Sequence, residues 1–466
     1  MHAVAPITRF APSPTGELHL GNARTALFNF LLAQHSAGGR FLLRIEDTDT
    51  ERSREQHVTQ LLKDLNWLGI RWHDEPVRQS QRSAIYAGYF TALLDRDAVY
   101  PCYCSAEQLE LSRRAQLASG RAPRYAGTCS ALSAAQRNAR EASGAAAALR
   151  FRVPAGRRIE FNDLVHGAQS FLSDDIGDFV IRRADGSAAF FFSNAVDDAL
   201  MGITQVLRGD DHLANTPRQL LVLQACGLRE PQYGHVALLT GDDGAPLSKR
   251  NGALSLRELR EAGYLPTAVC NLLFRLGHSS SETGLLDAEA MARAFDCAHL
   301  GRSPSRFDRQ QLDVWQKQAA HQLDAAAASA WLRDDLVHYI EPDRLDEFSA
   351  TILPNIVLPR DARLWADVIR ARPPALSAES RAVLDAAPVE LFAAAAAALR
   401  DPAQDWHGLV EAVRTATGLR GKALFRPLRI ALTGLDHGPE LASLLPLMAR
   451  EAIAGRIDRY TRRDYQ

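Results

Sequence analysis

ITRFAPSPTGELHLGNARTALFNFLLAQHSAGGRFLLRIED, residues 7–47, contains two kinds of hydrophobic repeat joined by one turn-forming loop. Ile7, Thr8, Arg9 and Phe10 read as a short strand, and Pro12, Pro14 and Gly16 turn the chain before Leu18, because proline fixes φ and has no N–H to donate to a ladder. From Asn22 onward Ala23, Ala26, Leu27, Phe30 and Leu31 recur at helical spacing. Gly38-Gly39 stops that run, and Phe41, Leu42, Leu43 and Ile45 make a second apolar strand. Strand, loop, helix and strand in this order predict a crossover between parallel strands, with a ligand crevice at the strands' carboxyl ends, where the loop meets the helix N-terminus.

Outward from this unit the alternation continues to about residue 100 and then breaks. Residues 101–203 contain a cysteine pair, a basic loop around Arg121 and Arg124, and short strand-like pieces such as 159–161; they are expected to form an inserted domain. Strands over 203–208 and 235–239, around a helix at 216–225, return the chain to the α/β pattern. A Rossmann-like domain split into 1–100 and 204–253 follows. After 254 the pattern is helical, with 254–322 as one helical domain. Over 323–466, alanine-rich stretches such as 325–332 and 389–400, broken by Pro354, Pro359, Pro373 and Pro374, predict one or two bundles. The fold class is therefore multidomain, α/β plus all-α.

The length, 466 residues, suits about three domains. Hydrophobic residues at 46% and charged residues at 23% exclude a disordered, collagen-like or disulfide-scaffold chain. Lys+Arg 54 against Asp+Glu 55 leaves a net charge of −1, so any nucleic-acid surface must arise from local segregation of charge. Charged Arg9 and Glu17 and three prolines within residues 1–22 argue against an export signal. No run of about 18 strongly apolar residues predicts a membrane span. Of the six cysteines, Cys102, Cys104 and Cys129 are crowded into one segment, which fits a reducing cytoplasm and a local metal site.

Two short segments carry chemistry. His19-Leu20-Gly21-Asn22 lies where the loop enters the helix, a place where backbone N–H groups and the helix dipole favour phosphate. Imidazole there can stabilise phosphate charge, Gly21 lets a flat base lie against the backbone, and Asn22 can cap the helix. An ordinary N-cap beside a surface histidine is the alternative. Leu247-Ser248-Lys249-Arg250, within the polar loop 241–252, offers a lysine and a hydroxyl to oxygens that gain charge during attack at phosphorus. A solvated basic loop is its alternative.

Taken with their neighbours, these segments are similar to a known family. Residues 9–16, Arg-Phe-Ala-Pro-Ser-Pro-Thr-Gly, followed by His19-Leu20-Gly21-Asn22, resemble the HIGH-type signature of class I glutamyl-tRNA synthetases. Residues 44–49, Val196-Asp197-Asp198, Arg208-Gly209-Asp210-Asp211-His212, Thr216-Pro217-Arg218-Gln219, Ser248-Lys249-Arg250 and 418–434 match that family in order. The resemblance implies a class I catalytic domain with an inserted acceptor-binding domain, a stem-contact domain over 254–322 and anticodon-binding helices over 323–466. It implies ATP-dependent activation of L-glutamate, with Mg²⁺, and transfer of the glutamyl group to tRNA-Glu, and to tRNA-Gln in some members, by a cytoplasmic monomer.

In that pattern His19, Ser248 and Lys249 are catalytic, and His19, Gly21, Asn22, Lys249 and Arg250 meet ATP. Arg9, Ala11, Ser13, Glu46, Phe190, Asn194 and Arg208 surround glutamate, the two arginines clamping carboxylate and Glu46 meeting the ammonium. Arg414, Arg420, Lys422, Arg426 and Arg429 form a basic stripe expected at the anticodon arm.

Three positions depart from the family pattern. Phe190 stands where many members have tyrosine, and Pro246 replaces the first lysine of the KMSKS-type loop. Cys102, Cys104 and Cys129 supply three soft ligands, but Ala131 occupies the position of the usual histidine. Tyr125 is then the implied fourth ligand of a structural Zn²⁺, with three reduced, metal-free cysteines as the alternative. The runner-up reading is a glutamyl-queuosine tRNA synthetase-like enzyme, whose relatives lack the anticodon-binding region.

Overall fold

The computed structural model describes residues 5–49, 52–247 and 254–463. The chain divides into two units, one formed by 1–259 with 269–309 and the other by 260–268 with 310–466. The first unit begins β1 (Ile7–Phe10), α1 (Leu20–Gln34), β2 (Arg40–Ile45), α2 (Glu55–Trp67), β3 (His73–Arg78) and α3 (Ser83–Asp95). It continues β4 (Val99–Cys102), α4 (Ala106–Ala118), α5 (Ala134–Ala142), β5 (Ala148–Phe151), β6 (Arg158–Asp163) and β7 (Gly167–Leu172). Then come α6 (Ser173–Ile176), β8 (Phe179–Arg182), α7 (Phe190–Leu200), β9 (Gln205–Gly209), α8 (Thr216–Cys226) and β10 (Gln232–Val236).

β1 pairs in parallel with β2, and β2 with β3. On its other edge β1 meets the start of β9: Thr204 donates its N–H to the Ile7 carbonyl at 2.8 Å, and the Ile7 N–H reaches Thr204 Oγ1 at 2.7 Å. β9 pairs in parallel with β10. The order β3-β2-β1-β9-β10 reverses direction of winding at β1/β9, which opens a crevice at the carboxyl ends of those two strands. Asn29 fixes α1 over this point, accepting the Thr8 hydroxyl on its carbonyl at 2.7 Å and donating Nδ2 to the Leu207 carbonyl at 3.0 Å. Gly39 makes the return to β2 feasible, since a Cβ there would stand 1.9 Å from the Ala33 carbonyl oxygen.

Two differences from the sequence expectation bear on the site. Helix α1 starts at Leu20, with extended His19 (φ −107, ψ 169) as the N-cap residue and no side-chain cap. Asn22, expected as a possible cap, sits inside the first turn, because the Ala23 N–H closes that turn on the His19 carbonyl at 3.0 Å. The strand expected over 235–239 stops at Val236, and Leu239–Thr240 pairs instead with Ser305–Arg306. Arg24 takes the Ala237 carbonyl with its Nη2, so that oxygen is occupied by a side chain rather than by a ladder.

Between α3 and α7, β4, β5 and β8 form an antiparallel sheet and β6 with β7 a hairpin. α7 packs in the core with α3 and α8, Phe192 stacking on Phe90 with centroids 4.5 Å apart.

The second unit is helical. Val389–Arg400 turns Leu391, Ala395, Ala396 and Leu399 into a core shared with Ile453, Ile457 and Tyr460 of Arg450–Thr461. Alanine on the buried face lets the two backbones approach closely. Asp324, Ser377 and Asp405 cap their helices by accepting a backbone N–H. Among the described residues no single helix is long and apolar enough to cross a membrane.

Candidate active site

Burial of charge at the ends of β1 and β2 fixes the floor of the site. Asp198 of α7 accepts Arg9 Nε at 3.0 Å, Arg9 Nη2 at 3.3 Å and Arg44 Nη1 at 2.6 Å. Arg44 gives its other nitrogen, Nη2, to Asn194 Oδ1 at 2.7 Å and to Glu46 Oε1 at 3.2 Å. Arg44 and Asp198 are fully buried, so each is tolerable only because the other is there. Burial pushes the Asp198 carboxyl up, but the charges of Arg44 and Arg9 outweigh it and hold the group at about 2. For Glu46 burial prevails over the same two arginines, and its carboxyl lies above the ordinary range. The second acid of the pair, Asp197, accepts Gln79 Nε2 at 2.8 Å, Arg82 Nε at 2.7 Å and the Tyr86 hydroxyl at 2.7 Å, which fastens α7 to α3.

Above this floor lies a cleft of about 710 Å³. Arg9, Ala11, Ser13, Glu46, Phe190, Asn194 and Arg208, the expected glutamate contacts, all line it. So do His19, Gly21 and Asn22, the expected ATP contacts from the start of α1. Ser248, Lys249 and Arg250 lie outside the described residues, but both flanks of their loop are anchored at the cleft. Pro246 and Leu247 line it, the Leu247 N–H bonding the Leu239 carbonyl at 2.8 Å. Ser255 pairs with His19, and the Leu256 N–H bonds the Leu18 carbonyl at 2.9 Å.

Several polar atoms at the cleft are buried without a partner among the described residues: His19 Nδ1, Asn194 Nδ2 and Arg208 Nη1. Because Arg44 can only donate, it fixes the Asn194 amide with Oδ1 inward, leaving Nδ2 as a spare donor. Arg208 gives Nε to His235 Nε2 at 3.1 Å and Nη2 to the Thr216 hydroxyl at 2.8 Å, which leaves Nη1. Burial lowers its guanidinium to about 10, so it stays charged at neutral pH. Burial also lowers His19, disfavouring its charged form. A Cβ at Gly21 would stand 3.4 Å from His19 Nδ1, so the glycine keeps that face of the imidazole open. Phe190 stacks on His212 with centroids 5.3 Å apart, so the ring is held by an aromatic contact that needs no hydroxyl.

The sequence reading assigned no role to Arg44, Arg24, Asp163 or His235. Arg44 had a signal, a charge inside the apolar run Phe41-Leu42-Leu43-Arg44-Ile45. Asp163 and His235 had none, being 72 positions apart. In the expected basic stripe, Arg426 pairs with Glu379 and, at 3.5 Å, with Asp436, Arg429 Nη1 bonds the Pro439 carbonyl at 2.9 Å, and Arg414 meets Glu411 at 3.0 Å. Arg420 and Lys422 are exposed.

The sulfurs of Cys102, Cys104 and Cys129 lie within 4.8 Å of one another, Cys104 and Cys129 at 3.6 Å. The Tyr125 hydroxyl is 3.5 Å from both Cys102 Sγ and Cys104 Sγ and accepts the Cys129 N–H at 2.9 Å. Donors of a tetrahedral Zn²⁺ stand about 3.7 Å apart for two sulfurs and about 3.5 Å for sulfur and oxygen, given the usual metal–ligand lengths. The Cys104–Cys129 separation of 3.6 Å and the two Tyr125–sulfur separations of 3.5 Å fall at those values. Arg150 donates Nε to Cys102 Sγ at 3.1 Å and covers the Tyr125 ring at 3.7 Å. Burial alone would raise the Cys102 thiol; hydrogen bonds from Tyr125 and Arg150 outweigh it and lower the group.

A parallel sheet reversing at β1/β9, a helix opening on the crevice and a helical unit after it suit a class I aminoacyl-tRNA synthetase, and the similarity to known proteins shows that class. Residues 6–314 match the family described as tRNA synthetases class I (E and Q), catalytic domain, and 325–461 match the anticodon binding domain family. The chain is 50% identical over 473 residues to glutamate–tRNA ligase 2 of Nitrosococcus oceani, covering 100% of both chains. It is 52% identical over 462 residues to glutamate–tRNA ligase 2 of Alkalilimnicola ehrlichii, covering 97% of this chain and 96% of the other. The crystal structure of a glutamate tRNA ligase from Elizabethkingia meningosepticum, in complex with its amino acid, superposes with a TM-score of 0.88 at 25% identity, covering 98% of this chain and 99% of that one. The chain belongs to the family of class I glutamyl- and glutaminyl-tRNA synthetases.

Proposed function

We propose that the chain is a glutamate–tRNA ligase, activating L-glutamate with Mg-ATP and passing it to the 3′-terminal adenosine of tRNA-Glu. The observation that carries this reading is the set of unpaired donors in one cleft, Arg208 Nη1 and Asn194 Nδ2 beside Glu46, with His19 at the opening of α1. A dicarboxylic amino acid supplies what these groups lack: carboxylate for the guanidinium and amide, ammonium for the Glu46 carboxylate. Arg9, with Nε and Nη2 held by Asp198, lines the same cleft. Ala11 and Ser13 bound the amino-acid side, and Gly21 and Asn22 the nucleotide side.

The α-carboxylate attacks the α-phosphorus, pyrophosphate leaves, and a ribose hydroxyl of the terminal adenosine then displaces AMP from the glutamyl-adenylate. No protein nucleophile takes part. His19, Ser248 and Lys249 stabilise the transferring phosphoryl group, Arg250 assists ATP binding, and the floor of buried ion pairs keeps the cleft in shape. Charging of purified tRNA-Glu with labelled glutamate is the test. Glutamate activation without charging of tRNA-Glu or tRNA-Gln would overturn it in favour of a tRNA-modifying enzyme.

Cys102, Cys104, Tyr125 and Cys129 are proposed to hold one structural Zn²⁺, in keeping with reduced cysteines of a cytoplasmic enzyme. About one equivalent of zinc is expected in the purified protein by elemental analysis, and Cys129→Ser is expected to lose it and to unfold several degrees earlier. A fully active, zinc-free preparation would sink the assignment.

A further inference from the structure

We infer that His235 is a positioning residue of the amino-acid pocket: held by Asp163 as a neutral imidazole, it accepts the Nε–H of Arg208 and so aims Nη1 of that guanidinium into the cleft. The inference rests on the reading of Arg208 as the residue that binds a glutamate carboxylate.

The hydrogen bonds fix every proton in this chain of groups. Asp163, buried at the end of β6, accepts the Val165 and His166 N–H groups on Oδ1, both at 2.9 Å, and the His235 N–H at 3.3 Å. Its other oxygen, Oδ2, lies 2.5 Å from His235 Nδ1. Burial pushes the Asp163 carboxyl up, and hydrogen bonds from His235 and those backbone groups outweigh it, so the group is an anion that can only accept. Nδ1 of His235 must therefore carry the proton. On the far side of the ring Arg208 can only donate, so Nε2 must be bare.

Thr216 completes the cradle. Its hydroxyl accepts Arg208 Nη2 at 2.8 Å and turns its own proton toward His235 Nε2 at 3.1 Å. Two of the three guanidinium nitrogens are thus committed, and the ring of Tyr233 lies beneath the guanidinium carbon at 5.1 Å. The guanidinium plane is fixed, and Nη1 is the end left over.

The charged and titratable groups around His235 are Arg208 on β9, Asp163 on β6, His166 in the β6–β7 turn and Tyr233 on its own strand. Asp163 and His235 are themselves fully buried. Burial, with Arg208 nearby, lowers the imidazole, which favours the bare Nε2 that the geometry requires.

Asp163→Asn tests the arrangement with almost no change of shape. The new Oδ1 must still accept Val165 and His166, so Nδ2 faces His235 and donates to Nδ1, which drives the imidazole proton to Nε2, head-on against the Arg208 Nε–H. Partners that orient a metal-bound histidine typically cost about 10–100-fold when altered, and the same scale is expected for the partner that orients His235. The KM for glutamate of Asp163→Asn is expected to rise by about that factor, with the KM for ATP and kcat at saturating glutamate within about threefold of wild type. His235→Leu, which lacks the acceptor, should show the same split. His235→Gln, whose Oε1 can take the place of Nε2, should recover most of that loss, and ¹⁵N shifts of His235 should report Nδ1–H in the wild type and Nε2–H in Asp163→Asn. If Arg208→Ala raises the glutamate KM while Asp163→Asn and His235→Leu leave it unchanged, His235 does not position the clamp. An unchanged KM in Arg208→Ala itself would instead overturn the reading of that arginine.

Discussion

Replacing Arg208 by alanine raises the KM for glutamate by about two to three orders of magnitude and leaves the KM for ATP within a few-fold. Arg208 lines the cleft, is 6% exposed and has one buried nitrogen, Nη1, without a partner among the described residues, so a carboxylate that reaches it gains a desolvated, charge-assisted partner. Truncating one member of such a buried charge pair costs about 2–5 kcal/mol, and each 1.4 kcal/mol is a factor of about ten. Lysine does not substitute, because it has no Nε–H for His235 Nε2 and no planar fork to span His235, Thr216 and the ligand at once. Arg208→Lys should therefore lie nearer to alanine than to wild type. Steady-state kinetics with glutamate and ATP varied separately distinguish a lost carboxylate contact from a collapsed cleft, which would raise both KM values together. Unchanged glutamate affinity removes Arg208 from the pocket.

The contrast between Arg208 and His235 marks what a sequence exposes. β1, α1 and β2 were legible because burial of one face imposes a period on apolar residues, and Ala23, Leu27, Phe30 and Leu31 keep the helical period without interruption. The residues that line the cleft were singled out through ordered motifs, and they converge because β1 and β9 end, and α1 begins, at the reversal of the sheet. Periodicity does not report the start of a helix, which depends on one backbone angle, and so Asn22 was mistaken for a potential cap where His19 is the boundary. Nor does it report which buried charges pair. Arg44, Asp198 and Asn194 meet across some 150 positions, and Asp163 reaches His235 only because β6 leaves the insert beside β10. The Leu164 N–H, bonded to the Tyr233 carbonyl at 2.8 Å, is the contact that brings them together. Strand pairing of that range has no local signature.

Replacing Lys249 by alanine slows glutamyl-adenylate formation by about two to three orders of magnitude, the usual cost of one donor aimed at charge that develops in the transition state. The size of the effect follows from what else in the cleft is cationic. Burial lowers His19 and so disfavours its charged form, which leaves it a hydrogen bond to offer more readily than a charge. Pro246, in the place of the loop's first lysine, offers neither. Arg9 is held largely by Asp198, and Arg208 by His235 and Thr216. Arg24, which also lines the cleft, is held by the Leu276 and Ala237 carbonyls, so on the proposed reading the charge gathering on the α-phosphoryl oxygens is expected to fall to Lys249, in the loop whose flanks are tied to Leu239 and His19 at the cleft. His19→Ala should accordingly cost less than Lys249→Ala, and the KM for glutamate should not change in Lys249→Ala. Single-turnover adenylate formation measured with tRNA-Glu present separates the two variants. Equal and small losses in both would mean that this loop does not meet the transition state. A loss confined to Lys249→Ala and restored in part by Lys249→Arg would mean that its charge, rather than its shape, is what the reaction uses.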